Sequence, residues 1–244
     1  MKPPPPISYG PSAPPPYPGR MAPYRGVIFD IDGTLVDSND GHARAWVRAF
    51  ADEGIEVDFG QVRPLIGMGG DQLVPRVTGI EKGDPAYERL SDGWKRHFQE
   101  EELPKVQGQP GSRALLEALQ ARGLKLIAGT SADEALVEGL LKIAGAEDLL
   151  TEHTTASDVE ASKPEPDIVQ AAVAKLGLKP DEVLMVGDTP FDVESARKAG
   201  VDTVALRCGG DHRFEGAVAV YDSPQDWLDH LDESPLGQGT PTSR

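Results

Sequence analysis

Residues 27–37 read Val-Ile-Phe-Asp-Ile-Asp-Gly-Thr-Leu-Val-Asp, and two carboxylates, Asp30 and Asp32, end the apolar run that starts at Gly26. A short apolar run bounded by turn residues predicts a buried strand. Gly33 then lets the backbone turn sharply. In an extended segment side chains two apart point the same way, so both carboxylates project from one side of the strand's carboxyl end. Two anions that close repel, and ionising both in a partly buried mouth costs free energy. A divalent cation, or a proton shared unequally, relieves that cost. A solvated Asp-rich turn has the same composition, and this stretch alone leaves both readings open.

Further polar residues stand at other predicted strand ends. Residues 124–129 run into Thr130 and Ser131, and residues 183–186 run into Gly187 and Asp188. Lys163 lies in the loop Ser162-Lys163-Pro164-Glu165-Pro166-Asp167, whose prolines restrict the backbone. Parallel strands would bring these ends to one edge of a sheet. Each has an ordinary alternative: Thr130 as a helix N-cap, Asp188 as a turn residue, Lys163 as a solvated surface cation. Together they are the groups phosphoryl transfer needs. A carboxylate can attack phosphorus, cations neutralise the phosphoryl oxygens, and a second carboxyl group moves a proton to the leaving oxygen. Mg²⁺ is the hard cation that oxygen donors of this kind hold.

The elements that must position these residues follow from periodicity. After Asp37 the period changes from 2 to 3.6, with Ala43, Trp46, Val47 and Phe50 at helical spacing. Pro64, Pro75 and Pro85 mark breaks around further helices over 59–66, 71–77 and 86–101. No strand is expected between 38 and 108, and residues 103–111 form a return hinge. From residue 111 helices (114–121, 134–143, 167–176, 192–199 and 224–231) alternate with strands (124–129, 183–186, 203–206 and a weaker 217–221). That alternation predicts a parallel sheet covered on both faces. The expected architecture is an α/β, Rossmann-like, doubly wound core, residues 24–37 and 109–233, with an inserted all-helical cap, residues 38–108.

The chain has 244 residues, 39% of them hydrophobic, with a net charge of −16 and a pI near 4.7. That charge argues against nucleic acid or an anionic membrane surface as partner; it leaves room for a small phosphorylated metabolite bound through a metal and local cations. Cys208 is the lone cysteine, so no intrachain disulfide forms, which fits a reducing, cytoplasmic setting. No stretch approaches the ~20 apolar residues of a membrane helix, and residues 1–23 lack the apolar core of a signal peptide. They hold ten of the 22 prolines, which predicts a loose, disordered tail or a ligand for a proline-binding module. Residues 234–244 are expected to form a second disordered tail. Monomer and homodimer are both open.

The motifs Asp30-Ile31-Asp32-Gly33-Thr34, Thr130, Lys163 and Gly187-Asp188-Thr189-Pro190-Phe191-Asp192, in this order, resemble the four motifs of the haloacid dehalogenase superfamily. Segments Val36-Asp37-Ser38, His42 and Ala45-Trp46 are similar to the helical-cap subclass that includes phosphoglycolate phosphatase and β-phosphoglucomutase. The resemblance implies a phosphomonoester hydrolase with Asp30 as nucleophile and Asp32 as general acid/base. Thr130, Ser131 and Lys163 would hold the phosphoryl oxygens. Asp30, the Asp32 backbone carbonyl, Asp188 and Asp192 would surround Mg²⁺. Gly69, Gly70 and His42 would lie on the substrate from the cap side. The chain departs from the mutase at Gly67-Met68-Gly69-Gly70, where an arginine grips a second phosphate in the mutase and Gly70 stands here. The alternatives are a phosphomutase, a phosphonatase with a cap lysine (Lys82 and Lys95 lie in that block), a dehalogenase and a non-catalytic phosphate-binding module. Asp32 and Asp188 speak against the dehalogenase, which needs neither a metal nor a second aspartate.

Overall fold

The computed structural model describes residues 24–132 and 134–237. The proline-rich stretch 1–23 and residues 238–244 lie outside the described residues.

In chain order the elements are β1 (Gly26–Phe29), β2 (Val36–Asp37), α1 (Asn39–Asp52), α2 (Phe59–Val62), α3 (Gly70–Thr78), α4 (Pro85–His97), β3 (Gln107–Gly108) and α5 (Ser112–Ala121). They continue as β4 (Lys125–Gly129), α6 (Glu134–Ile143), β5 (His153–Thr154), α7 (Asp167–Leu176), β6 (Val183–Gly187), α8 (Pro190–Ala199), β7 (Asp202–Leu206), β8 (Ala219–Tyr221) and α9 (Pro224–Asp229). Six strands form one parallel sheet in the order β5-β4-β1-β6-β7-β8.

The central strand shows why the sheet is two-sided. Val27 and Phe29 of β1 pack with Leu184 and Val186 of β6 against one helical layer. Ile28 packs with Met185 and with Val169 and Val173 of α7 on the other. All four residues of β1 are buried, each contributing roughly 1.5–3 kcal/mol where the side chain is large and apolar. A strand covered on both faces reads as a continuous apolar run, and this one ends where Asp30 begins.

Helices α1 to α4 gather around a separate apolar cluster that includes Trp46, Phe50, Leu73 and Leu90. Pro75 lies inside α3, and Pro85 is the first residue of α4, with Asp84 accepting the Ala86 N–H at 2.8 Å. Phe98–Glu102 extend α4 by one wider, π-type turn. The expectation of no strand between 38 and 108 needs a correction: Gln107–Gly108 pair antiparallel with Val36–Asp37. These two-residue strands join the chain's exit from the sheet to its return, and neither is long enough to show a period. The carboxyl end stays packed past Glu233, since Ser234 is buried and Leu236 lies against the main core.

Candidate active site

The site is built at the carboxyl ends of β1, β4 and β6. The Asp30 N–H still pairs with Val186 O at 2.9 Å, and the Thr130 N–H with Thr154 O at 3.0 Å. Each functional residue is therefore the first beyond a strand but remains in register with its neighbours. Gly33 turns the chain with φ 81°, and a Cβ there would come 2.2 Å from both Asp188 Oδ2 and Asn39 Nδ2. Glycine is required twice, by the backbone and by the space.

Asp30, Lys163, Asp188 and Asp192 form a buried charge cluster. Lys163 Nζ lies 2.5 Å from Asp30 Oδ1 and 2.8 Å from Asp192 Oδ1. Thr34 Oγ1 bridges Asp30 Oδ2 at 3.3 Å and Asp188 Oδ1 at 2.9 Å. Asn39 donates to Asp188 Oδ2 at 2.7 Å and to Gly209 O at 3.1 Å. Asp192 is placed by a capping box at the start of α8: its Oδ2 accepts the Thr189 N–H at 3.0 Å, and Thr189 Oγ1 accepts the Asp192 N–H. Pro190 at the first helical position completes that start.

The charges do not balance. Three carboxylates face one ammonium, so burial pushes the Asp30 carboxyl up to about 7 against the lowering pull of Lys163. Burial and the charges of Asp30 and Asp192 hold Asp188 well above the ordinary carboxylate range. Burial disfavours the Lys163 ammonium, but Asp192 and Asp30 outweigh it and keep it protonated. Oxygens of Asp30, Asp188 and Asp192 all lie within 4.8 Å of one another. A hard divalent cation fits this set, because it takes oxygen ligands and cancels the surplus negative charge.

Asp32 lies apart from that cluster. Ser38 Oγ donates to its Oδ1 at 2.6 Å and His42 Nε2 lies 2.8 Å from the same oxygen. Burial raises its carboxyl, yet His42 and Ser38 prevail and hold it below the usual range. His42 itself stacks on Phe98, ring centres 3.8 Å apart. Asp30 and Asp32 both line a cavity of about 270 Å³ between the sheet and the helical block.

Thr130, Ser131, His42, Gly69 and Gly70 line the same cavity. Thr130 Oγ1 accepts the Ala132 N–H at 3.0 Å, the turn-capping role open to it in the sequence, while Ser131 Oγ is buried without a partner among the described residues. Lys163 stands behind Asp30 rather than on the cavity wall. Gly69 and Gly70 begin α3, and a Cβ on Gly69 would lie 2.4 Å from Ser162 Cβ. Asp71 Oδ2 accepts the Ser162 N–H at 3.0 Å, tying the helical block to the Lys163 loop. Sequence reasoning missed Thr34 and Asn39 as supports of Asp188, and Ser38 as a support of Asp32. Their only signal is adjacency to the first motif.

Residues 27–206 match the family described as haloacid dehalogenase-like hydrolase. The chain is 33% identical over 218 residues to phosphoglycolate phosphatase of Rhodospirillum rubrum, covering 84% of this chain and 90% of that protein. It belongs to this hydrolase family. The hydrolase is also 29% identical to N-acetylmuramic acid 6-phosphate phosphatase of Pseudomonas aeruginosa, over 86% of its length and 96% of the relative's. A crystal structure of a hydrolase from Pseudomonas syringae superposes with TM-score 0.80 at 33% identity, covering 85% of this chain and 98% of that one. Among the described residues no helix is long and apolar enough to cross a membrane.

Proposed function

We propose that this hydrolase is a Mg²⁺-dependent phosphomonoesterase that acts on small phosphorylated metabolites through an aspartyl-phosphate. The observation that carries the reading is the pairing of two differently tuned carboxylates, Asp30 and Asp32, on the wall of one cavity. Asp30 Oδ forms a bond to phosphorus as the ester P–O bond breaks. The leaving alkoxide takes a proton from Asp32 Oδ. Water then attacks phosphorus and gives its proton to Asp32, releasing inorganic phosphate and restoring the Asp30 carboxylate.

The first step needs Asp32 protonated, whereas Ser38 and His42 favour its anion. A phosphate dianion placed beside Asp32 shifts that balance toward the acid. Lys163 holds Asp30 in place and offsets charge gathering on the phosphoryl group. Ser131, whose hydroxyl has no partner among the described residues, and Thr130 line the wall where the phosphoryl oxygens would rest. Asp30, Asp188 and Asp192, with the Asp32 backbone carbonyl, would surround Mg²⁺, which when bound neutralises the phosphoryl oxygens. The helical block 38–108 acts as a cap that excludes bulk water, and Gly67 and Gly69 let it rest on Thr189 and Ser162. Gly70 offers no side chain to grip a second phosphate, which favours hydrolysis over a mutase. The phosphatase names of the relatives support the same class. Hydrolysis of p-nitrophenyl phosphate with Mg²⁺, with EDTA, and by Asp30→Asn tests the reading: turnover should need both the metal and Asp30, and metal-independent turnover in the variant would refute it.

A further inference from the structure

Asp188, one of the three clustered carboxylates, is held from the helical block. Asn39, the first residue of α1, is buried. Its Nδ2 donates to Asp188 Oδ2 at 2.7 Å and to Gly209 O at 3.1 Å. A side-chain amide has two N–H donors, and both are used here. Asn39 Oδ1 is buried with no partner among the described residues, so the two donated bonds alone orient the amide. The Gly209 backbone lies directly on the same carboxylate, since a Cβ there would overlap Asp188 Oδ2.

Gly209 O takes a second donor. Arg63, in the turn Arg63–Leu65 of the helical block, donates to it from a terminal guanidinium nitrogen. Arg63 Nε donates to Asp40 Oδ1 at 2.6 Å, and Asp40 follows Asn39 in α1. The Asn39 side chain, Gly209 O, Arg63 and Asp40 thus close a ring. Four residues after Arg63 the same segment meets the site again: Gly67 rests on Thr189, whose N–H and hydroxyl both donate to Asp192 Oδ2. Stability does not account for the ring. The Asp40 side chain is 60% exposed, and a pair that open to water contributes under about 1 kcal/mol. What the ring does fix is direction: the seat of the helical block sets Gly209 O, and Gly209 O sets the Asn39 amide.

We propose that Asn39 and Arg63 are positioning residues for the divalent cation: through the shared Gly209 carbonyl they aim Asp188, so that cation affinity depends on how the helical block is seated. This rests on the metal reading above, in which Asp30, Asp188 and Asp192 hold the ion. Such coupling is reciprocal, so the cation in turn favours the seated block. Charge and positioning act with opposite signs here. Removing the Arg63 cation makes the surroundings of the site more negative, which by Coulomb attraction alone tightens Mg²⁺ binding. Loss of positioning weakens it.

The test is calorimetric titration of the full chain with Mg²⁺ alone, without an ester. Asn39→Ala should weaken binding by about tenfold or more, as loss of a ligand's orienting partner does. Arg63→Met should weaken it by about threefold. In the double variant the Arg63 step should largely vanish, because both residues act through one carbonyl. Arg63→Met removes a partly exposed side chain and decides the proposal even where Asn39→Ala fails to fold. Unchanged or tighter Mg²⁺ binding in Arg63→Met overturns the proposal and leaves the metal reading standing. An Arg63 step of the same size in the Asn39→Ala background does so too. No Mg²⁺ binding by the wild type removes the metal reading, and this one with it.

Discussion

At the floor of the cavity every charged side chain has a hydrogen-bond or ion-pair partner, although three carboxylates share one ammonium. Lys163 meets Asp30 and Asp192, Asp188 meets Thr34 and Asn39, and Asp32 meets Ser38 and His42. At the roof, the α4 side of the cavity, Lys82 lines the rim and forms no ion pair among the described residues, and Trp94 Nε1 is buried with no acceptor among them. The floor is preorganised, with its side chains already held in place by one another before an ester arrives. The floor holds the clustered charges and the roof the stacked aromatic rings, and changes in the two should have separable consequences.

Removing Lys163 should have the largest effect. Lys163→Met leaves Asp30 and Asp192 buried without their cation, which should cost about 3–5 kcal/mol of stability in urea unfolding and roughly a thousandfold in turnover. A variant that stays stable and active would mean that the floor does not depend on the Lys163 ammonium. The metal comes next. Mg²⁺ at about a hundred times its Kd should stabilise the wild type by about 2.7 kcal/mol, read as a shift in thermal unfolding. Asp188→Asn should lose most of that shift, and an unchanged shift would place the ion elsewhere.

The contact between floor and roof is sharpened by Gly69→Ala. Its Cβ would meet Ser162 Cβ and Asp71 Oδ1, each at 2.4 Å, so about 1–3 kcal/mol of stability should be lost, with KM raised as the two regions separate. An unaltered KM would show that this contact does not govern closure. Outside the cavity lining, His97 supplies the smallest effect. Burial opposes its charge, but hydrogen bonds to Glu101 and Asp52 prevail and raise it above its ordinary 6.5. A raised folded-state value means that the imidazolium stabilises fully below pH 6.5 and that the contribution fades as pH rises through the folded value. His97→Gln should therefore lower stability at pH 5.5 more than at pH 8, by under about 1 kcal/mol, read as a larger drop in Tm at the lower pH. Equal losses at both pH values would assign His97 a packing role only.

The same two regions differ in how far the sequence discloses them. The floor is written at strand ends, where an apolar run stops at a polar residue, so Asp30, Asp32, Thr130 and Asp188 stand out, and Lys163 is marked by its proline-flanked loop. The sheet was legible for the same reason, since β1, β4, β6 and β7 are apolar runs. The roof is written into an amphipathic helix, where Tyr87 and Trp94 have the spacing of core residues and Ser91 that of a solvated one. Nothing in α4 marks a tryptophan whose N–H will find no acceptor, because that depends on Trp46 and His42 arriving from α1. Asn39 was concealed likewise: it reads as the start of a helix, and only the fold brings it 2.7 Å from Asp188. Strands β2, β3 and β5 are two residues each and too short to carry a period.

The measurement that bears most directly on the central claim is acid-quenched mass spectrometry of the Asp32→Asn variant mixed with p-nitrophenyl phosphate and Mg²⁺. Loss of the proton carrier should slow release of the phosphoryl group more than its capture through an activated leaving group. The account predicts the mass of one phosphoryl group on the peptide that contains Asp30. Turnover with that peptide unmodified at every quench time, together with full activity in Asp30→Asn, would contradict it.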